Sequence, residues 1–340
     1  MRISFSKSVT ESLLAKIRSG EMMSRNEKFN LIIQLSIPSI LAQVTTVLMF
    51  YIDAGMVGSL GAEPSAAIGL VEPATWLFFS LVSAVTMGFS VQVAHFIGAN
   101  DFAKARAVMR HGYIFGLCFA LFLLLITFLI GYRLPVWLGG GADIQHDATV
   151  YFLIFSLIIP FHLIEYMSAA MLKVSGDMRR PSFMAILMCV LDVIFNYFFI
   201  FPTRTVSLFG VEVTMPGLGE GVAGAALGSL LSFVCVALPL AYYAIFRSPI
   251  LAWKQDVERF VWRWQYIWNA MKIGAPMALQ YLLMNGAQLV STMIVAPLGN
   301  IAIAAHSFAI TAESLCYMPG YGISEAATTL VGQSVGADRR

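Results

Sequence analysis

Six acids stand inside stretches that are otherwise apolar: Asp53, Glu72, Glu165, Asp192, Glu313 and Glu325. A charge in hydrocarbon surroundings is costly unless it is paired or put to use, so each acid raises the question of what it holds. Asp53 lies late in the first apolar stretch, within Phe50-Tyr51-Ile52-Asp53-Ala54-Gly55. Asp192 and Asn196 lie four residues apart in Val190-Leu191-Asp192-Val193-Ile194-Phe195-Asn196-Tyr197, a spacing that stacks them on one helix face. A carboxylate and an amide carbonyl together offer hard oxygen donors to a small cation, or a pair that shares a proton. The same two residues serve equally as polar glue between helices. Glu72 precedes Pro73 and reads either as the lining of an exit or as a side chain reaching to the interface. Glu165 follows His162 by three residues, a spacing that allows a bonded pair, and His306 reads as a structural histidine. No two histidines have metal-ligand spacing.

The elements that position these residues are long. The chain is 59% hydrophobic and 12% charged, with mean hydropathy +0.78, where a soluble domain carries roughly a quarter charged residues. Lipid is therefore the expected solvent, and a spanning helix needs about 20 apolar residues. Eight stretches qualify: 31–59, 66–98, 111–134, 148–172, 182–202, 222–246, 270–297 and 302–335. Prolines fall within or near their ends (Pro38, Pro73, Pro160, Pro239, Pro276, Pro319), which neighbouring helices in a bundle can accommodate. Cys118, Cys189, Cys235 and Cys316 are scattered through apolar sequence and form neither a disulfide framework nor a zinc site. The sequence contains no Walker A loop, nucleophile elbow or H-E-x-x-H, so no enzyme is expected, nor a bound cofactor or a nucleic-acid partner. Residues 1–30 are basic and lack the form of a secretory signal. Phe5, Val9, Leu13 and Ile17 recur every four residues, so this arm reads as an amphipathic helix on the inner leaflet or as a frayed tail.

Residues 36–101 recur in 274–339 at a constant offset of 238, without a gap. Pro38 matches Pro276, Gly61 matches Gly299, and Gly98-Ala99 matches Gly336-Ala337. Glycines and prolines mark backbone geometry, so the helices themselves are expected to be duplicated. Asp53 corresponds to Ser291, so the copies differ where a carboxylate sits. Nineteen Lys/Arg fall in the N-terminal arm, 99–110, 173–181, 247–272 and at Arg339-Arg340, against Arg133 and Arg204 in the other loops. That bias puts the N-terminus in the cytoplasm of a cell inner (plasma) membrane, and both copies run the same way through it. The expected organisation is a basic arm (1–30), a six-helix lobe (31–246), a Trp-rich interfacial connector (247–269) and the first two helices of a second lobe (270–340). The second copy stops where the first has about four helices still to run, so the chain reads as a fragment or natural truncation of a twelve-helix protein.

At these residues the chain resembles the multidrug and toxic compound extrusion (MATE) family. The resemblance rests on SIPSILAQ, VGSLG, GDMRRPSFMAILMCVLDVIFNYFFI and GVAGAALGS, then IGAPMALQ, APLGNIAIAAH and ISEAATTLVGQSVGADRR, and covers about residues 30–340. It implies an all-α polytopic bundle of two parallel six-helix repeats, of which about eight helices are present. It also implies antiport of organic cations or other drugs against Na⁺ or H⁺. The family's first-helix aspartate matches Asp53. Its fifth-helix pair matches Asp192 and Asn196 in reversed order, which puts the acid one turn lower. A sixth-helix threonine matches Ser229, and a seventh-helix glutamate of some members is Met284 here, beside Asn285. The resemblance implies Asp53, Asp192, Asn196 and Ser229 as the ion- or proton-coupling group, with Na⁺ at the first three. Glu72 and Glu165 are candidates for the substrate cavity. Ion uptake from outside would neutralise the acids and favour release of the drug, and loss of the ion inward would favour rebinding. The other readings are a lipid-linked saccharide flippase, which needs a cationic lumen where this chain has acids, and a non-transporting scaffold or receptor. The oligomeric state is not legible.

Overall fold

The structure is a computed structural model and describes residues 7–19, 21–208, 211–255 and 260–338. Arg2, Phe5, Arg259, Arg339 and Arg340 lie outside the described residues. A short helix α1 (Lys7–Ser19) leads into α2 (Arg25–Gly58), α3 (Ala62–Gly98) and α4 (Phe102–Gly131). The one-turn α5 (Leu134–Trp137) precedes α6 (Gln145–Ser156), α7 (Ile158–Val174) and α8 (Arg179–Ile200). A hairpin of β1 (Pro202–Leu208) and β2 (Val211–Leu218) then leads to α9 (Gly221–Tyr242), α10 (Trp264–Val295) and α11 (Asn300–Gly336). Among the described residues six helices are long and apolar enough to cross a membrane. Two more spans arise if bent helices are taken whole: α6 with α7, at 41°, and the two parts of α11, at 42°. These eight spans match the eight apolar stretches of the sequence, each beginning ahead of its stretch. Lys104, Arg106 and Arg110 thus belong to the first turns of α4 rather than to a loop.

Local signals set the boundaries. Ser24 and Glu27 form a reciprocal capping box that starts α2, and Asp101 accepts from the Lys104 amide to start α4. Gly61 (φ 124°) and Gly299 (φ 98°) open α3 and α11, and Asn100 (φ 59°) and Asp338 (φ 54°) follow the ends of the same helices. Both pairs are related by the offset of 238, so the duplication holds at the level of backbone dihedrals in a region where side chains are rarely tolerated.

The repeats meet about a pseudo-twofold axis. A side chain at Gly69 would strike Ser307, its own counterpart in the second copy, so the axis passes between them. At one end, Gly98 packs on the Gln333 carbonyl and Gly336 on the His95 carbonyl, again an exchanged pair. A Cβ at either glycine would fall 2.2 or 2.0 Å from the facing oxygen, so only glycine lets these backbones approach. Correspondingly, α3 packs on α10 as α11 packs on α2.

α3 is the hub of the first lobe, with α4, α6 and α7 against it and buried side chains such as Leu70, Phe89, Met109, Phe152 and Leu163 in the shared core. The outer face of α4 presents Leu121, Phe122, Leu125 and Leu129, apolar and exposed, as a lipid-facing surface does. The segments rich in Lys and Arg gather at one end of the bundle. There Asn100 donates to the Arg18 carbonyl, Arg106 to that of Ile250 and Gln333 to that of Val174. The same end anchors the segment before α10. Arg110 donates to the Trp253 carbonyl, and buried His111 accepts from the Arg263 amide through Nε2 while its Nδ1 meets the Ala107 carbonyl. Trp264 and Trp268 of the expected connector lie within α10 and are exposed. The arm turns its apolar stripe inward: Leu13, Leu14 and Ile17 of α1 are buried against Leu31, Leu35, Met178 and Ala326 rather than laid on a bilayer. Lys16 Nζ meets Glu27 Oε1 at 2.6 Å, and that bond raises the ammonium pKa above its usual value. At the opposite end the β1–β2 hairpin, with Arg204 opposite Met215, is an element the hydropathy pattern does not announce.

Candidate functional site

Three helices bring the strongest candidates together. α8 packs against both α2 and α9, and its approach to α9 is close because Gly224 and Gly228 face it. A Cβ on Gly224 would lie 2.4 Å from the Phe199 carbonyl oxygen, and one on Gly228 would lie 2.0 Å from Asn196 Oδ1. The G-x-x-x-G spacing thus seats α9 directly on the turn of α8 that carries the polar pair.

Asp192 and Asn196 are each 1% exposed, and Asp53 is partly buried. The Asn196 amide nitrogen donates to Asp53 Oδ1 and to Asp192 Oδ2, both at 2.9 Å, so a single NH₂ bridges acids from two helices. Ser232, fully buried on α9, donates from Oγ to Asp192 Oδ1 at 3.2 Å and to the Ser229 carbonyl at 2.8 Å. Among the described residues no Lys or Arg pairs with either carboxylate, and Asn196 Oδ1 is buried without a hydrogen-bond partner. The Ser229 side chain also bonds to Asp192, so the cluster joins two carboxylates, two hydroxyls and an orphaned carbonyl oxygen, an oxygen-rich set short of positive charge. Such a set suits a hard cation or a shared proton. The residues present fit that role because a bound cation would give Asn196 Oδ1 the partner it lacks.

The other acids go elsewhere. Glu72 does not reach for an interface: it accepts from Trp76 Nε1 at 3.4 Å and, across the pseudo-twofold axis, from Ser307 Oγ at 3.0 Å. Glu165 Oε2 stands 3.9 Å from His162 Nδ1, beyond hydrogen-bond reach, and the imidazole stacks on Phe79 at 4.4 Å. Trp76 touches Phe79 edge-on at 6.1 Å, so a chain of rings leads from Glu72 to Glu165. Glu313 is exposed, and Glu325 pairs with Lys173. His306 leaves Nε2 buried without a partner, and Asn285 donates to Ser80 Oγ on α3 at 3.1 Å. Ser232 and Gly228 escaped the reading of the sequence. The available signals were the glycine spacing on α9 and a serine four residues beyond Gly228.

The MatE family profile matches residues 38–198 and 276–340, two blocks that begin 238 residues apart, one in each copy. The chain belongs to the MatE family. Its MatE relatives include a probable multidrug resistance protein NorM of Thermotoga maritima, 27% identical over 303 residues, or 89% of this chain and 62% of the relative. A protein of the same name in Pseudomonas aeruginosa is 32% identical over 316 residues, 91% of this chain and 61% of the relative. The chain thus spans somewhat under two-thirds of the length of these curated MatE relatives. Among solved structures, an outward-facing multidrug resistance MATE family transporter of the MOP superfamily superposes with a TM-score of 0.80. It is 22% identical, over 98% of this chain and 68% of that one. A MATE structure in complex with MaD3S superposes at 0.78 with 23% identity. These likenesses establish the fold expected from the sequence, a MatE bundle of membrane helices.

Proposed function

We propose that this chain carries the ion-coupling lobe of a secondary antiporter that exports organic cations in exchange for Na⁺ or H⁺. One observation supports the reading above the others: the Asn196 amide ties Asp53 to Asp192 while no basic side chain offsets them and Asn196 Oδ1 is left unpaired. Two carboxylates in a low-dielectric bundle are tolerated only with compensating charge. A chain that does not supply that charge must take it from a guest. Na⁺ would be held by the Asp53 and Asp192 carboxylates and the Ser232 hydroxyl, and by Asn196 Oδ1 once the amide turns over from Gly228 toward the acids. A proton would be shared by the carboxylates. Either ion supplies the missing positive charge, and so does a cationic substrate, which makes the guests mutually exclusive. That exclusion is a coupling free energy between ion and drug. The names of the relatives, probable multidrug resistance proteins, favour drugs as that substrate.

Direction follows from charge. The end bearing the basic residues faces the cytoplasm, by the bias that retains Lys and Arg on that side. A membrane potential then adds about 2.3 kcal/mol per charge per 100 mV to inward ion movement, enough to drive concentrative export. Glu72 and Glu165, joined by the rings of Trp76, Phe79 and His162, flank the route a planar cation would take.

The test is binding of ethidium, a fluorescent organic cation, to the purified chain in nanodiscs. Na⁺ or acid displaces the dye from the wild type, and Asp53→Asn or Asp192→Asn removes that competition. Unchanged ion-sensitive binding in the Asp53→Asn/Asp192→Asn double variant would refute the assignment.

A further inference from the structure

We propose that Lys173 and Glu325 form an ionic lock that holds the two copies together at the basic end of the bundle and must break before that end can open. The proposal rests on the antiporter reading above, since a site open to each side in turn requires the copies to move against each other. Lys173 lies in the last turn of α7, in the first lobe, and Glu325 lies on α11, in the second copy. Lys173 Nζ meets Glu325 Oε1 at 2.6 Å with side chains only 14% and 20% exposed, and Gln43 of α2 donates to the same oxygen at 3.4 Å. The next turns of α11 extend the grip. Thr329 Oγ1 donates to the Lys173 carbonyl at 3.1 Å and Gln333 Nε2 to the Val174 carbonyl at 2.7 Å.

The last carbonyls of a helix lack partners within the helix, and here the second copy supplies a donor to that of Val174 and a second donor to that of Lys173, which also accepts from the Gly176 amide. Gln333 is also the residue whose own carbonyl receives Gly98, so the lock is continuous with the backbone contact of the copies. Each of these bonds runs between copies, and separating α11 from α7 breaks the three made by Lys173 and Val174 together. The lock is also one-sided: the counterpart of Glu325 under the offset of 238 is Met87. Glu325 Oε2 is buried without a partner, so neutralisation of this acid depends on Lys173. Removing one member of such a pair leaves an uncompensated charge in the closed state and none in an opened, hydrated one.

The experiment measures the distance between spin labels in the chain in nanodiscs, with no ion or drug required. The four native cysteines become serine, and labels go on exposed Arg179 of α8 and Val335 of α11. The parent shows one short distance. Lys173→Met and the milder Glu325→Gln each raise the ratio of long to short distances about tenfold or more, equivalent to ~1.4 kcal/mol. The double variant opens no further than either single one, because both remove the same bond. Unchanged distances in both single variants, or additive opening in the double, would overturn the lock. Because the readout is distance, its failure leaves the coupling site untouched, and a failed dye competition leaves the lock untouched.

Discussion

Two buried carboxylate sites in this molecule are built on opposite principles. At Glu325 the positive partner is part of the chain: Lys173 lies 2.6 Å away, and the contact joins the two copies. At Asp53 and Asp192 the partners are neutral, an asparagine amide and a serine hydroxyl, and all of them come from the first lobe. An acid with a tethered cation has its charge offset and holds structure in place. An acid pair without one depends on a mobile cation and can exchange it. The same side-chain type thus serves as a latch in one place and as a candidate binding site in the other, and the neighbouring residue decides which.

The comparison fails most directly if the Asp53–Asp192 site does not need its charge. Asp192→Asn is expected to weaken ion competition against ethidium by tenfold or more, since losing one partner of a buried charge contact costs about 2–5 kcal/mol. Dye titrations at several Na⁺ concentrations and pH values check this. Asn196→Lys converts the Asp53–Asp192 site to the design of the Glu325 site. The chain should still fold, and its melting temperature should cease to rise with Na⁺, as stabilisation by ligand requires a free site. Gly228→Ala places a methyl group 2.0 Å from Asn196 Oδ1, so the amide must move. Thermal unfolding should register a loss of about 1–3 kcal/mol, the usual range for overpacking, with weaker ion competition. Ser232→Ala removes one donor to Asp192 and leaves the bridging amide in place. It should shift ion affinity only several-fold, about 1 kcal/mol, in the same titration.

Much of the fold was legible because lipid imposes a length scale. The eight apolar stretches correspond to six spanning helices and two bent pairs, and the glycines repeated at a fixed offset reappeared as matching turns, with positive φ at Gly61 and Gly299. Asp192 and Asn196 were legible as a pair because a helix puts i and i+4 on one face, and they are hydrogen-bonded to each other. The joining of Asp53 to that pair was suggested only by likeness to a family, since 139 residues separate Asp53 from Asp192 and no local rule spans them. Gly228 and Ser232 were not singled out because glycine and serine are common in membrane helices, and their meaning depends on which helix faces them. Glu165 is the converse: its spacing from His162 suggested a bonded pair, but stacking of the imidazole on Phe79 holds the two groups 3.9 Å apart. The arm was amphipathic as its period of four predicted, yet nothing local said that Leu13, Leu14 and Ile17 would bury against α2 and α11.

The sequence by itself determined the solvent, the apolar spans, their duplication and the cost of the acids placed among them. These follow from composition, period and offset, which need no knowledge of neighbours. Tertiary structure alone decided which acids share an amide, which acid meets a lysine, and where the copies touch backbone to backbone. A charge in a low dielectric takes its role from groups within a few ångströms, and in a bundle of long helices those groups come from distant parts of the chain.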